Sequence, residues 1–154
     1  MKSLPRWAPL VARLWIGLLF FYAGWTKLLE PAANFRGLIA QYEILPYAVI
    51  PAIAFVLPWI ELIFGAFLIA GYLTRPSALV LSGVSISFVV MLLASYFKTG
   101  QFPADCGCFG EGSFIHLTGL QVLALDCANF SLGLAIFRSK NLSFTLDSLF
   151  MPKA

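Results

Sequence analysis

Cys106 and Cys108 flank a single glycine in the stretch Asp105-Cys106-Gly107-Cys108-Phe109-Gly110, which gathers two of the chain's three cysteines into three residues. Two thiols so placed can close a disulfide, but residues i and i+2 of an extended chain lie near the upper end of the usual Cα separation of about 4.4–6.8 Å. Such a bridge needs a turn and is strained, and a strained, loop-borne disulfide is reduced more readily than a buried structural one. The spacing therefore favours a redox-active pair over a static bridge. A zinc site built from Asp105, Cys106, Cys108 and His116 fits less well, because structural zinc sites place about two to four residues between paired cysteines. No metal is expected. Gly107, Gly110 and Gly112 let the backbone take positive φ and let a second chain approach closely. The sole histidine, His116, can serve as a base or lower the pKa of a nearby thiol; the plainer alternative is an interfacial residue at a helix start.

Two acids interrupt otherwise apolar runs. Glu61 and Asp126 are costly deep in a membrane span, so each should face the interior of a bundle and have a partner or a task. Glu61 is either protonated and hydrogen-bonded or relays protons to a bound quinone. Counted at about 1.5 Å per residue, Asp126 lies roughly 13 Å and Glu61 roughly 21 Å from the outer ends of their spans, so the two need not touch. Tyr22, Trp25 and Lys27 end the first apolar run. Their plainer reading is an interfacial aromatic belt with Lys27 snorkelling to the headgroups. The sharper one is an aromatic-walled pocket for a ring such as a quinone, with Glu61 and Asp126 nearby.

The elements that position these residues follow from composition. The chain is 60% hydrophobic and 11% charged, where a soluble domain carries about 25% charged residues. It is an integral membrane protein, and its 154 residues suit one small bundle with no separate soluble domain. About 20 apolar residues span the hydrocarbon core as a helix, and four segments reach that length: Leu10–Leu29, Tyr47–Leu73, Ala78–Phe97 and Leu117–Phe137. The expected fold is an all-α, integral-membrane four-helix bundle forming a single domain over residues 1–154. The first span is too long for a signal-peptide core and lacks small residues at its end, so it reads as a helix. Between the first two spans, Phe35, Leu38, Ile39, Tyr42 and Ile44 recur like one face of a short helix lying in the interface. Gly24 permits close helix contact, and Ser82, Gly83, Ser85, Ser87 and Ser95 in the third span suit close packing and weak interhelical hydrogen bonds. Cys127, deep in the fourth span, cannot reach Cys106 or Cys108 and reads as a small core residue.

Orientation follows from lysine and arginine. Lys2, Arg6, Arg13, Arg75, Arg138, Lys140 and Lys153 fall on the side of the termini, against Lys27, Arg36 and Lys98 on the other, seven to three. Both termini are thus expected in the cytoplasm, and the Cys106/Cys108 loop outside a prokaryote's inner membrane, where disulfides persist. A formal charge of +3 without a basic run excludes nucleic-acid binding. No Ser/His/Asp arrangement, phosphate loop or haem-attachment motif occurs.

Ala23-Gly24-Trp25-Thr26-Lys27-Leu28 with Pro31, followed by Pro58, Glu61, Gly65 and Gly71, resembles the DoxX family of small four-helix membrane proteins. With Asp105-Cys106-Gly107-Cys108-Phe109-Gly110 before the last helix, the chain resembles more specifically the MauE branch, the methylamine-utilisation MauE proteins and their relatives. For that branch the resemblance implies forming or shuttling disulfides in exported proteins; for DoxX relatives it implies quinone-linked sulfur or thiol metabolism. The expectation is a membrane thiol–disulfide redox protein, with exported or periplasmic thiol proteins as partners and electrons passing to a membrane quinone. Its rivals are an accessory subunit of a larger membrane redox complex and, more weakly, a small-solute or proton carrier using Glu61 and Asp126.

Overall fold

The computed structural model describes residues 7–42, 44–100 and 117–139. All regular elements among them are helices: α1 (Ala8–Leu29), α2 (Ala32–Gln41), α3 (Ile50–Ala70), α4 (Thr74–Thr99) and α5 (Gly119–Arg138). The four long ones are each apolar and long enough to cross a membrane. The fold is that of a multi-pass, all-α membrane bundle with one additional short helix.

Local sequence sets the helix ends. α1 and α3 open with proline in the first turn, where the missing N–H would have no partner in any case. α3 closes on Gly71, left-handed at φ 75°, and the Tyr72 N–H returns to the Phe67 carbonyl at 3.0 Å. Leu73 is also left-handed, at φ 47°, and launches α4 immediately. The tightness of this turn explains why α4 starts at Thr74, before the expected Ala78, and why α3 stops at Ala70. α3 starts at Ile50, leaving Tyr47 outside it and exposed. α5 begins with a capping box in which the Thr118 N–H donates to Gln121 Oε1 at 3.0 Å.

Packing organises the helices as two antiparallel pairs, α1 on α3 and α4 on α5, with α3 and α4 joining them. Glycine sets the first pair. A Cβ at Gly24 would lie 2.6 Å from the Leu62 nitrogen and 2.7 Å from the Pro58 oxygen, and one at Gly65 would lie 2.7 Å from the Phe21 nitrogen. Only glycine admits such backbone proximity, the usual role of small residues between membrane helices. Ile16 and Phe20, Leu68, Leu81 and Ile136 bring all four long helices into one core. α2 lies across one end. Its Phe35, Leu38 and Ile39 pack on Ile50 and Ala54, and Tyr42 packs on Leu92 and Val122. The amphipathic face expected there is present up to Tyr42, whereas Ile44 turns outward. Large apolar side chains such as Trp15, Phe55, Val90 and Phe97 cover the outside, as a hydrocarbon solvent requires.

Candidate functional site

Lys27 in the last turn of α1 donates to both carboxylate oxygens of Glu61 in α3, at 2.8 and 2.7 Å, and the two side chains are 0% and 1% exposed. Its Nζ lies 5.1 Å from the Phe35 ring centroid and 5.4 Å from that of Phe88, so α2 and α4 close over it with two aromatic faces. Lys27 therefore does not snorkel. The reason is directional: helical side chains incline toward the helix N-terminus, which here carries the Lys27 stem back toward Gly24. At Gly24 the α3 backbone comes so close that a Cβ would stand 3.1 Å from the Glu61 Cβ. The glycine contact that packs the helices is thus also what brings base and acid together.

Asp126 is buried on α5 and, with Glu61, Phe20, Ala23 and Phe88, lines a small cavity with space for about one water molecule. Depths counted along separate helices hid this meeting, because they ignore the offset between neighbouring helices. Ser85 of α4 adjoins the Asp126 carboxyl. Around it, Asp126 Oδ2, Ser85 Oγ and both side-chain polar atoms of Asn129 are buried without a well-aligned hydrogen bond. Asn129 follows Asp126 by three residues and so shares its face of α5.

The remaining expected site residues do not join this group. Trp25 is 50% exposed and stacks on Phe21 on the outer face of α1, with ring centroids 6.4 Å apart. Tyr22 is half-buried, and its carbonyl accepts from the Thr26 hydroxyl at 3.1 Å. Of the set Tyr22, Trp25, Lys27, Glu61 and Asp126, the structure brings together the last three: Lys27 pairs with Glu61, and Glu61 and Asp126 line a space too small for a quinone ring. Cys106, Cys108 and His116 lie outside the described residues. Cys127, expected in the core, is exposed on the outside of α5, because the buried stripe of that helix runs through Val122, Asp126, Asn129 and Gly133. Ser87 likewise faces outward and donates within its own helix, to the Gly83 carbonyl at 2.8 Å.

Sequence reasoning missed Phe35, Ser85, Phe88 and Asn129 as parts of the site. The spacing held a partial signal: Ser85 and Phe88, and Asp126 and Asn129, are each three residues apart on one helical face.

Residues 5–138 match the family described as Methylamine utilisation protein MauE. The chain belongs to the MauE family. It is 29% identical over 123 residues to the Methylamine utilization protein MauE of Paracoccus denitrificans, a match that covers 80% of this chain and 63% of that relative. The chain thus spans less than two thirds of the relative's length. No solved structure matches. The family match contains all four long helices, the Lys27–Glu61 pair, Asp126 and the Cys106/Cys108 stretch. Chemically, the interior of this MauE-family bundle combines one ammonium and two carboxyl groups in a buried, largely apolar setting. Such a cluster can hold charge and protons without exposing them to lipid.

Proposed function

We propose that this MauE-family protein is a membrane component of a methylamine-utilisation system that handles the thiol–disulfide state of exported proteins through Cys106 and Cys108. One observation carries the reading. The ends of α4 and α5 between which the cysteine segment runs stand at the α2 end of the bundle, where Tyr42 packs with Leu92, Val122 and Leu117. The two helix ends that flank the segment in sequence thus belong to one packed cluster. The seven-to-three excess of Lys and Arg toward the termini supports a position of this end outside the cytoplasm.

In the exchange, a thiolate of the exported protein attacks one sulfur of the Cys106–Cys108 disulfide, forming a mixed disulfide and releasing the other cysteine as thiolate. A second thiolate of the partner then displaces the attached cysteine. The partner leaves as a disulfide, with its two protons released, and the Cys106/Cys108 pair holds the two electrons until an external oxidant takes them. Replacing both cysteines with serine and trapping free thiols across the exported proteins tests this. Accumulation of reduced partners is the expected result, and an unchanged thiol state in every exported protein overturns it.

A second reading rests on the small size of the cavity at Glu61 and Asp126. Glu61 and Asp126 line a space for about one water molecule, and a site this small suits an accessory subunit that anchors its loop within a larger redox complex. Co-purification of a stoichiometric partner, together with no thiol oxidation by the isolated protein, supports that reading.

A further inference from the structure

Lys27, Glu61 and Asp126 contain two acids and one base in the interior of a membrane bundle. Lys27 gives its bonds to both oxygens of Glu61, and the charged groups acting on Asp126 are Lys27 and Glu61. Arg13, also buried, stands roughly 21 Å further along α1 at about 1.5 Å per residue. If both acids were ionised, the cluster would carry one uncompensated negative charge in hydrocarbon surroundings, which is costly. One additional proton makes it neutral. The neighbouring polar atoms are of both kinds: Asn129 Nδ2 donates, Asn129 Oδ1 and Asp126 Oδ2 accept, Ser85 Oγ does either, and none has an aligned partner. Water satisfies donors and acceptors at once, and the cavity that Glu61 and Asp126 line has space for about one molecule.

We propose that Glu61 and Asp126, with Lys27 as their common counter-charge and Ser85 and Asn129 as polar supports, form a hydrated proton-exchange site in which one proton is shared between the two carboxyls. The step is balanced. A proton leaves the Asp126 carboxyl for the bridging water, which passes one of its own to Glu61. Negative charge moves from Glu61 to Asp126, Lys27 accompanies it, and the total charge stays zero. The site is independent of the cysteine chemistry.

Infrared spectroscopy of the full-length protein in nanodiscs at neutral pH tests the proton count. The wild type is expected to show one protonated-carboxyl band. Glu61→Gln abolishes it, because Asp126 then ionises against Lys27; Asp126→Asn also abolishes it, whereas Lys27→Met doubles it. A band that persists in Glu61→Gln overturns the sharing, as does its absence from the wild type. In D2O the band shifts in the folded protein, and Ser85→Ala or Asn129→Leu slows that shift at least tenfold. Exchange only upon unfolding overturns the hydrated route. A melting temperature that rises with sodium at constant ionic strength, leaving that of Asp126→Asn unchanged, would assign the site to a cation and also overturn it. The variant with serine at positions 106 and 108 keeps the band, so failure of the cysteine chemistry and failure of this site are separable.

Discussion

The two helix pairs of the bundle hold the polar groups of the candidate site in opposite ways. Between α1 and α3, glycines bring backbones into contact, and buried Lys27 is paired with buried Glu61 at 2.7–2.8 Å. Between α4 and α5, the close approach at Gly133 is met by the Ser82 side chain, which bonds the Ala78 carbonyl of its own helix. Here Asp126, Ser85 and Asn129 are left with unbonded atoms. The first pair is a closed ionic contact, rigid by backbone geometry. The second holds polar groups in reserve, as a site that exchanges protons or water must and a purely structural interface need not.

The largest effect should come from breaking the closed half. Lys27→Met should cost about 3–5 kcal/mol in unfolding measured in detergent or bicelles, the usual loss when a buried ion pair is deprived of one partner. Glu61→Gln should cost less, because Asp126 remains as an alternative counter-ion for Lys27. Equal losses would show that the two halves are not coupled. A Lys27→Met/Glu61→Leu double variant should lie nearer the wild type than Lys27→Met alone.

Next in size is the glycine contrast. Gly24→Ala places a methyl against backbone atoms of Pro58 and Leu62 and should cost roughly 1–3 kcal/mol. Gly133→Ala meets a serine side chain, so adding Ser82→Ala should rescue it by thermal-shift measurement, while no side-chain truncation rescues Gly24→Ala. Asn129→Leu should be neutral to within about 1 kcal/mol, because it replaces unbonded polar atoms with apolar ones of similar size. A large loss would place Asn129 in a fixed hydrogen-bonded contact and erase the difference between the halves. The smallest effect is expected for Trp25→Ala, within about 0.5 kcal/mol, with no change in the thiol state of exported proteins, since this ring faces away from the interior.

The comparison also shows where sequence was legible. Membrane solvent demands about 20 apolar residues per span, so the four spans were readable to within a few residues, and the short amphipathic helix between the first two was visible from the spacing of Phe35, Leu38 and Ile39. The expectation that Glu61 and Asp126 face inward also followed from solvent alone. Lys27 was harder. Beside Tyr22, Trp25 and Pro31 it has the composition of an interfacial belt, and its inward course depends on side-chain direction and on a glycine contact with residues more than thirty positions later. Cys127 misled for a similar reason: one position beyond Asp126 on a helix is about 100° of rotation, and the more polar neighbour took the interior.

Sequence by itself determined that this chain is a four-span, all-helical membrane protein, that two acids must be sheltered inside it, and that its paired cysteines sit between the last two spans. These follow from length, hydropathy and the cost of charge in hydrocarbon, which are properties of segments. Tertiary structure decided that Lys27 is the partner of Glu61, that Asp126 lines a cavity together with Glu61, and that Trp25 and Cys127 face outward. Those outcomes depend on helix register and rotation, which are fixed where Gly24 and Gly65 let backbones touch, and no single segment contains both sides of such a contact.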